Sequence, residues 1–283
     1  MNMPSTLSCP ATLNKLLVCT DGSPESQGAI AAALNLAQAC GSNIHLIQVV
    51  QDIFETDSSW PGMIAERDHK VLSYMDAWEV EASKLNVALE TKMVYADTPY
   101  EGVIEEAKKI EPDLIILGRH GISRLYRIMM GNVTARVISH SPYNVLVVPK
   151  DVSLDFKKII VASDGSTYSH AAWGEAMRLG QRLGSELIAV PVVDQELEVE
   201  RAEKIAIELK AEADRAGVEF ETLILQGFPP EVIVQAAREK EADLIVMGAL
   251  GFTGVKSFFM GSVTERVIAQ APCCVLIVKQ ILR

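Results

Sequence analysis

Short apolar runs alternate along this chain with longer stretches whose apolar residues return every three or four positions. The runs at 15–19, 44–50, 89–95, the stretch following Asp113 and 144–148 are short and nearly uncharged, as buried parallel strands are. Between them the helical spacing predicts four helices. The first has Ser23 as N-cap and Pro24 at the first helical position and is stopped by Gly41. The others cover 70–85, 100–110 and 133–140. Residues 51–69 are polar around Trp60-Pro61-Gly62 and read as a loop or lid, and the first dozen residues read as a mobile tail. The order βαβαβαβαβ predicts a parallel sheet with helices on both faces.

After a polar linker, 149–155, the pattern starts again. Asp164-Gly165-Ser166, after the apolar run 158–162, matches Asp21-Gly22-Ser23 at an offset of 143. The glycines of GRHGISRLYRIMMGN (Gly118, Gly121, Gly131) and of GALGFTGVKSFFMGS (Gly248, Gly251, Gly261) both show steps of 3 and 10, at an offset of 130. The second copy is therefore 13 residues shorter, between its second and third strands. An internal duplication reorganises the whole chain. Two domains are expected, 1–150 and 151–283, each a five-stranded parallel sheet of order 3-2-1-4-5. The charged helical stretch 196–216 reads as a solvated face.

Composition narrows the class. A chain of 283 residues is long enough for two cores, and 49% hydrophobic with 22% charged residues is the balance of a soluble globular protein. A net charge of -11 argues against a general nucleic-acid binder. The N-terminus shows no basic and apolar secretory pattern, and no apolar run reaches membrane-spanning length, so no membrane partner is expected. Five cysteines without a C-x-x-C pair predict reduced thiols in a cytoplasmic protein, with Cys19 and Cys274 in the core.

Each glycine stretch lies between a strand and a helix, a geometry that aims backbone N–H groups and a helix N-terminus at one point suited to an anion. Ser262 is placed to cap its helix and to offer a hydroxyl to the same anion. A single copy serves equally well as a structural turn. In an open α/β sheet ligands sit at the carboxyl ends of the strands where strand order reverses, here between the first and fourth strands. There Asp21 and Asp164 stand opposite the glycine loops. Each carboxylate either accepts ribose hydroxyls beside phosphates held by the loop, or is a turn residue bonding its own backbone. No P-loop, dinucleotide G-x-G-x-x-G or G-x-S-x-G motif occurs, and no pair of the five histidines has helical metal-ligand spacing. A Mg²⁺ bridging phosphates stays compatible, because it needs few protein ligands.

T-D-G-S after the first strand, G-x2-G-x9-G-[ST]-x2-[ED]-R-V before the last helix, and a closing P-x-x-V-L-V-V strand resemble the universal stress proteins, over nearly the whole chain as two tandem domains. The resemblance implies Rossmann-like, adenine nucleotide alpha hydrolase-like domains that bind ATP, or AMP or ADP. Asp would meet the ribose, the end of the second strand the adenine, and the glycine loop the phosphates. Carried onto this chain, it points to Asp164, Val192, Gly248, Gly251, Gly261 and Ser262 in the second half. In the first half it points to Asp21, Val49, Gly118, Gly121, Gly131 and Asn132. Asn132 departs from Ser/Thr and loses the hydroxyl. Asp97 stands where the second half has Gly227, and a carboxylate near a triphosphate would repel it by about 1 kcal/mol in wet surroundings. Arg119, His120, Arg124 and Arg127 either offset that charge or form a solvated helix face. The second site is therefore the closer match.

The expected function is a non-catalytic, nucleotide-binding stress-response regulator. Its halves are expected to pack as an internal dimer through 144–148 and 274–278, with a further homodimer left open. A weak ATP hydrolase or adenylyl-transferring enzyme, and a nucleotide-free scaffold, are the alternatives.

Overall fold

The computed structural model of the protein describes residues 13–51, 60–121, 130–152, 154–193, 199–251 and 260–279. In the first half the order is β1 (Lys15–Thr20), α1 (Gln27–Cys40), β2 (Asn43–Gln51), α2 (Trp60–Lys84), β3 (Leu89–Ala96), α3 (Pro99–Ile110), β4 (Leu114–Gly118), α4 (Asn132–His140) and β5 (Val145–Val148). The second half runs β6 (Lys158–Ser163), α5 (Thr167–Leu183), β7 (Glu186–Val193), α6 (Val199–Ala216), β8 (Phe220–Thr222), β9 (Leu225–Gln226), α7 (Pro229–Glu239), β10 (Leu244–Gly248), α8 (Ser262–Gln270) and β11 (Cys274–Val278). The strands lie in the order β3-β2-β1-β4-β5-β11-β10-β6-β7-β8, so the pattern 3-2-1-4-5 occurs twice. Pairing is parallel within each half.

The two halves meet where β5 and β11 pair antiparallel, with Val147 opposite Val275, Leu146 opposite Leu276 and Val145 opposite Ile277. Side chains alternate between the sheet faces. Leu146, Val148, Leu276 and Val278 therefore join one core with α1, α2, α5 and α6. Val145, Val147, Val275 and Ile277 join the other, with α3, α4, α7 and α8. Both cores run through the seam. Because the seam is antiparallel, the carboxyl ends of the strands in one half point opposite to those in the other.

Three details depart from the sequence pattern. Helix α1 begins at Gln27 with Ser26 as N-cap, not Ser23. The Ser23 amide and hydroxyl both donate to Asp21 Oδ1, at 3.0 and 2.6 Å, so Ser23 is not free to cap. In the second half Ser166 does cap, accepting from the Ser169 amide at 3.1 Å. Helix α2 starts at Trp60, inside the stretch read as a loop; residues 52–59 of that stretch lie outside the described residues. Its first turns lack apolar periodicity because they stand off the sheet: Met63 is 61% exposed, and an i,i+4 pair between Glu66 and Lys70 supports the helix locally. The third strand of the second half is split into β8 and β9. Thr222 pairs with Ala189 and Leu225 with Val192, so the break falls opposite Val190 and Pro191. Proline has no N–H to give the ladder, and the position equivalent to Pro191 in the first half is Gln48, where β2 and β3 pair without interruption. Asp243 immediately precedes β10, and its Oδ2 accepts from the Lys157 and Lys158 amides at the start of β6.

Two cations cross the seam. The Arg119 guanidinium donates to the carbonyls of Ile268, Ala269 and Ala271 at 3.3, 3.2 and 2.8 Å, closing the C-terminus of α8. Lys279 follows β11; its amide donates to Asn144 Oδ1 at 2.9 Å and its ammonium to the Ile138 carbonyl of α4. Cys19, Cys273 and Cys274 are free thiols, and Cys9 lies outside the described residues. Burial raises the Cys19 thiol and pushes Cys273 and Cys274 up to about 12.

Burial also pushes the Lys279 ammonium down to about 8 from 10.5. Between these values the folded chain holds fewer protons at Lys279 than the unfolded chain, so this residue makes folding more favourable as pH rises. Denaturation midpoints of the wild type relative to Lys279→Met are expected to climb between pH 7 and pH 10. A difference that stays flat would show that the ammonium is solvated.

Candidate functional site

The turn after the first strand of each half is built from Asp, Gly and Ser. Asp21 Oδ1 accepts from Ser23, and Asp164 Oδ1 accepts from the Ser166 amide at 2.9 Å. Gly22 and Gly165 take φ values of +75° and +74°, which the tight turn requires. One carboxylate oxygen thus has the local turn role. The other faces the glycine loop: a Cβ on Gly251 would sit 2.8 Å from Asp164 Oδ2, and one on Gly121 would be closer still to Asp21 Oδ2. The turn role of each aspartate is met by Oδ1, and Oδ2 is the oxygen turned toward the loop. Adjacency of β1 to β4 and of β6 to β10 brings these loops together.

Gly118 and Gly248 end β4 and β10 and are buried. A Cβ on Gly248 would lie 2.8 Å from the Tyr168 backbone carbon, and one on Gly118 would lie 3.2 Å from the Glu25 carbonyl oxygen. These two glycines set the close approach of strand to helix start. At the far end of each loop the Gly131 amide donates to the Arg119 carbonyl, and the Gly261 amide to the Ala249 carbonyl, both at 2.9 Å. Thr134 and Thr264 hydroxyls donate to the Gly118 and Gly248 carbonyls at 2.9 and 3.1 Å. Both loops are thereby cinched shut at the neck.

The caps of α4 and α8 are Gly131 and Gly261, without a side-chain cap bond. Asn132 and Ser262 occupy the first helical position, which corrects the expectation that Ser262 caps. The first helical bonds run from the Ala135 and Glu265 amides to the Gly131 and Gly261 carbonyls, fixing the cap one residue earlier. A glycine cap offers no side-chain acceptor of its own to the first-turn amides of either helix, at the positive end of the helix dipole. Asn132 and Ser262 are exposed beside them.

Val49 and Val192 lie near the carboxyl ends of β2 and β7. The Val49 side chain packs against α3, where a Cβ on Gly102 would come within 2.7 Å of Val49 Cγ1. Val192 packs into the core on the α7 face. Any ligand at these ends would meet backbone first. Asp97 is exposed, with its carbonyl accepting from Gln51 Nε2 at 3.2 Å, whereas Gly227 takes φ +140° and donates its amide to the Val193 carbonyl. The two rims therefore differ in backbone as well as charge. Of the four bases in the first loop, Arg119 is committed to α8, His120 is half-buried, and Arg124 and Arg127 lie outside the described residues.

Sequence reasoning missed Arg201. Its guanidinium donates to the Asp164 carbonyl at 2.6 Å, while Ile205, one turn on, lies 2.9 Å from a Cβ placed on Gly165. Helix α6 thus lies across the second turn. The corresponding cover in the first half is different: Gln48 sits beside Gly22, and the Tyr74 hydroxyl is 3.4 Å from Thr20 Oγ1. The i,i+4 spacing of Arg201 and Ile205 was visible, but it was lost among the many charges of α6. Among the described residues no group of three His, Cys, Asp or Glu is arranged to hold a metal ion.

Twofold repetition of a 3-2-1-4-5 sheet with helices on both faces defines a tandem Rossmann-like α/β protein. The sequence model of the universal stress protein family matches residues 12–149 and again 155–279. The chain belongs to the universal stress protein family, with two copies of the domain in tandem. It is 37% identical over 141 residues to a universal stress protein of Methanocaldococcus jannaschii, covering 44% of this chain and 83% of that one. Universal stress protein E of Escherichia coli K12 is 25% identical, covering 95% of each chain. A crystal structure of a universal stress protein from Archaeoglobus fulgidus superimposes with TM-score 0.75 over 95% of this chain and 99% of that one, at 22% identity, a likeness of fold. A universal stress protein solved in complex with cAMP is 27% identical over 44% of this chain and 98% of its own, with TM-score 0.39.

The contact between Asp164 and Gly251 predicts non-additive energetics. Gly251→Ala is expected to destabilise by about 1–3 kcal/mol through the Cβ forced onto the carboxylate. Much of that loss should disappear when Asp164→Ala is already present, giving a coupling above about 0.5 kcal/mol in a double-mutant cycle by chemical denaturation. Additive effects would place the carboxylate away from the loop.

Proposed function

We propose that the protein is an adenine-nucleotide-binding regulator of the stress response, built as an internal pseudo-dimer of two domains, 1–150 and 151–283. What carries this reading is the recurrence, in both halves, of an aspartate facing a glycine loop whose far end is a helix capped by glycine alone. The Oδ2 of Asp164 or Asp21, which faces the glycine loop, is chemically suited to ribose hydroxyls. The first-turn amides of α8, at Ser262 and beyond, and of α4, at Asn132 and beyond, suit the phosphates of ATP, ADP or AMP. Gly251, Gly261, Gly121 and Gly131 keep that approach clear of side chains, while Gly248 and Gly118 hold the helix starts close. The ends of β7 at Val192 and of β2 at Val49 would offer backbone to adenine. Mg²⁺ would bridge phosphate oxygens and water. The β5–β11 pairing supports the internal dimer, and family membership supports a regulatory role in the cytoplasm, with binding and not turnover as the main activity.

Ser262 and Gly227 favour the second site over the first, which has Asn132 and the exposed Asp97. A thermal-shift series with ATP, ADP, AMP and GTP, with and without Mg²⁺, tests this. An adenine nucleotide at a hundredfold its dissociation constant is expected to add about 2.7 kcal/mol to stability. The stronger of two sites is expected to vanish in Gly261→Val and the weaker in Gly131→Val. No shift with any adenine nucleotide, together with no bound absorbance at 260 nm, would overturn the proposal.

A further inference from the structure

We infer that Arg119 is a positioning residue that ties the first glycine loop to the helix heading the second site, so that an anion in the first loop is felt in the second half. The inference rests on the nucleotide reading above. Arg119 lies inside the first loop, between Gly118 and His120. Its amide donates to the Val148 carbonyl of β5 at 3.0 Å, and its carbonyl accepts from the Gly131 amide, the cap of α4. Its side chain then leaves its own half and donates to the last carbonyls of α8. One residue therefore joins the neck of the first loop, the strand at the seam and the far end of the helix whose first turn, after Gly261, forms the second site.

The duplication supplies the internal control. Ala249, the counterpart of Arg119, makes the same main-chain bonds, to the Val278 carbonyl at 3.1 Å and from the Gly261 amide at 2.9 Å, but has only a methyl group to present. The reverse connection, from the second half to α4, is made by Lys279, which is outside its own loop and follows β11. An anion drawing the amides of the first turn of α4 toward itself moves Gly131, and with it the carbonyl and guanidinium of Arg119. Among the described residues of the second loop no side chain is placed to do the same to α4. Arg119 thus carries the coupling through the first loop.

The test uses the full chain carrying Gly261→Val, which leaves the first site open. ATP binding is followed by calorimetry, and amide hydrogen exchange by mass spectrometry over 268–272. Exchange in that segment is expected to change about fivefold or more as the first site fills. The change should be absent in Gly261→Val/Arg119→Ala while ATP heat is still measured, and partly restored with Arg119→Lys, whose single ammonium reaches one carbonyl. If Arg119→Ala does not fold, Arg119→Gln takes its place. Exchange that follows occupancy without Arg119, or ATP heat with no change over 268–272, would overturn the coupling. Heat in the wild type but none in Gly261→Val would overturn it too, and leave a nucleotide site in the second half standing. No heat in the wild type would remove the nucleotide reading and the coupling together.

Discussion

The antiparallel pairing of two short strands, β5 and β11, is the constraint from which the rest of this architecture follows. Unpaired, each would be an apolar sheet edge with open amides and carbonyls, a liability in water. Paired, they merge two sheets into one and let the cores on both faces run unbroken from half to half. A fully buried aliphatic side chain contributes about 1.5–3 kcal/mol. Val145, Leu146, Val147, Val275, Leu276 and Ile277 all reach that environment at the seam. The same antiparallel sense sends the two candidate sites to opposite ends of the sheet. Arg119, in the first glycine loop, is thereby left next to the C-terminus of α8.

The duplicated halves differ in sequence along their length, and some of the differences fall at the seam and around the turns. Arg119 and Ala249 differ at the seam. Asp97 and Gly227, Tyr74 with Gln48 and Ile205 with Arg201, differ around the turns. The necks of the loops do not differ: Thr134 and Thr264 make the same bond, as do Gly131 and Gly261.

Much of this was legible before any coordinates, and for a physical reason. Buried parallel strands announce themselves as uninterrupted apolar runs, and β1, β4, β6 and β10 lie where those runs were. The order 3-2-1-4-5, which sets each Asp turn beside a glycine loop, is the one the strands adopt. Boundaries set by side-chain hydrogen bonds were not legible: Asp21 competes for Ser23 and moves the start of α1, an effect invisible to a cap preference. The early start of α2 was hidden because an exposed helix supported by Glu66 and Lys70 has no apolar stripe to read. Arg119 looked like one base among four near a phosphate loop. Only the seam, a contact between residues about 150 positions apart, shows that it belongs to α8.

Pro191 has a consequence for how this sheet meets other molecules. By interrupting the ladder it divides the outermost strand of the second half into pieces of three and two residues, too short to template a further chain. The opposite rim is an unbroken eight-residue strand, β3, whose alternating exposure includes Glu90 and Lys92. Lateral extension of the sheet is thus blocked at one margin and, at the other, restricted to a strand with matching charges. An assembly grown by strand addition would close after a single step and could not propagate into a fibre.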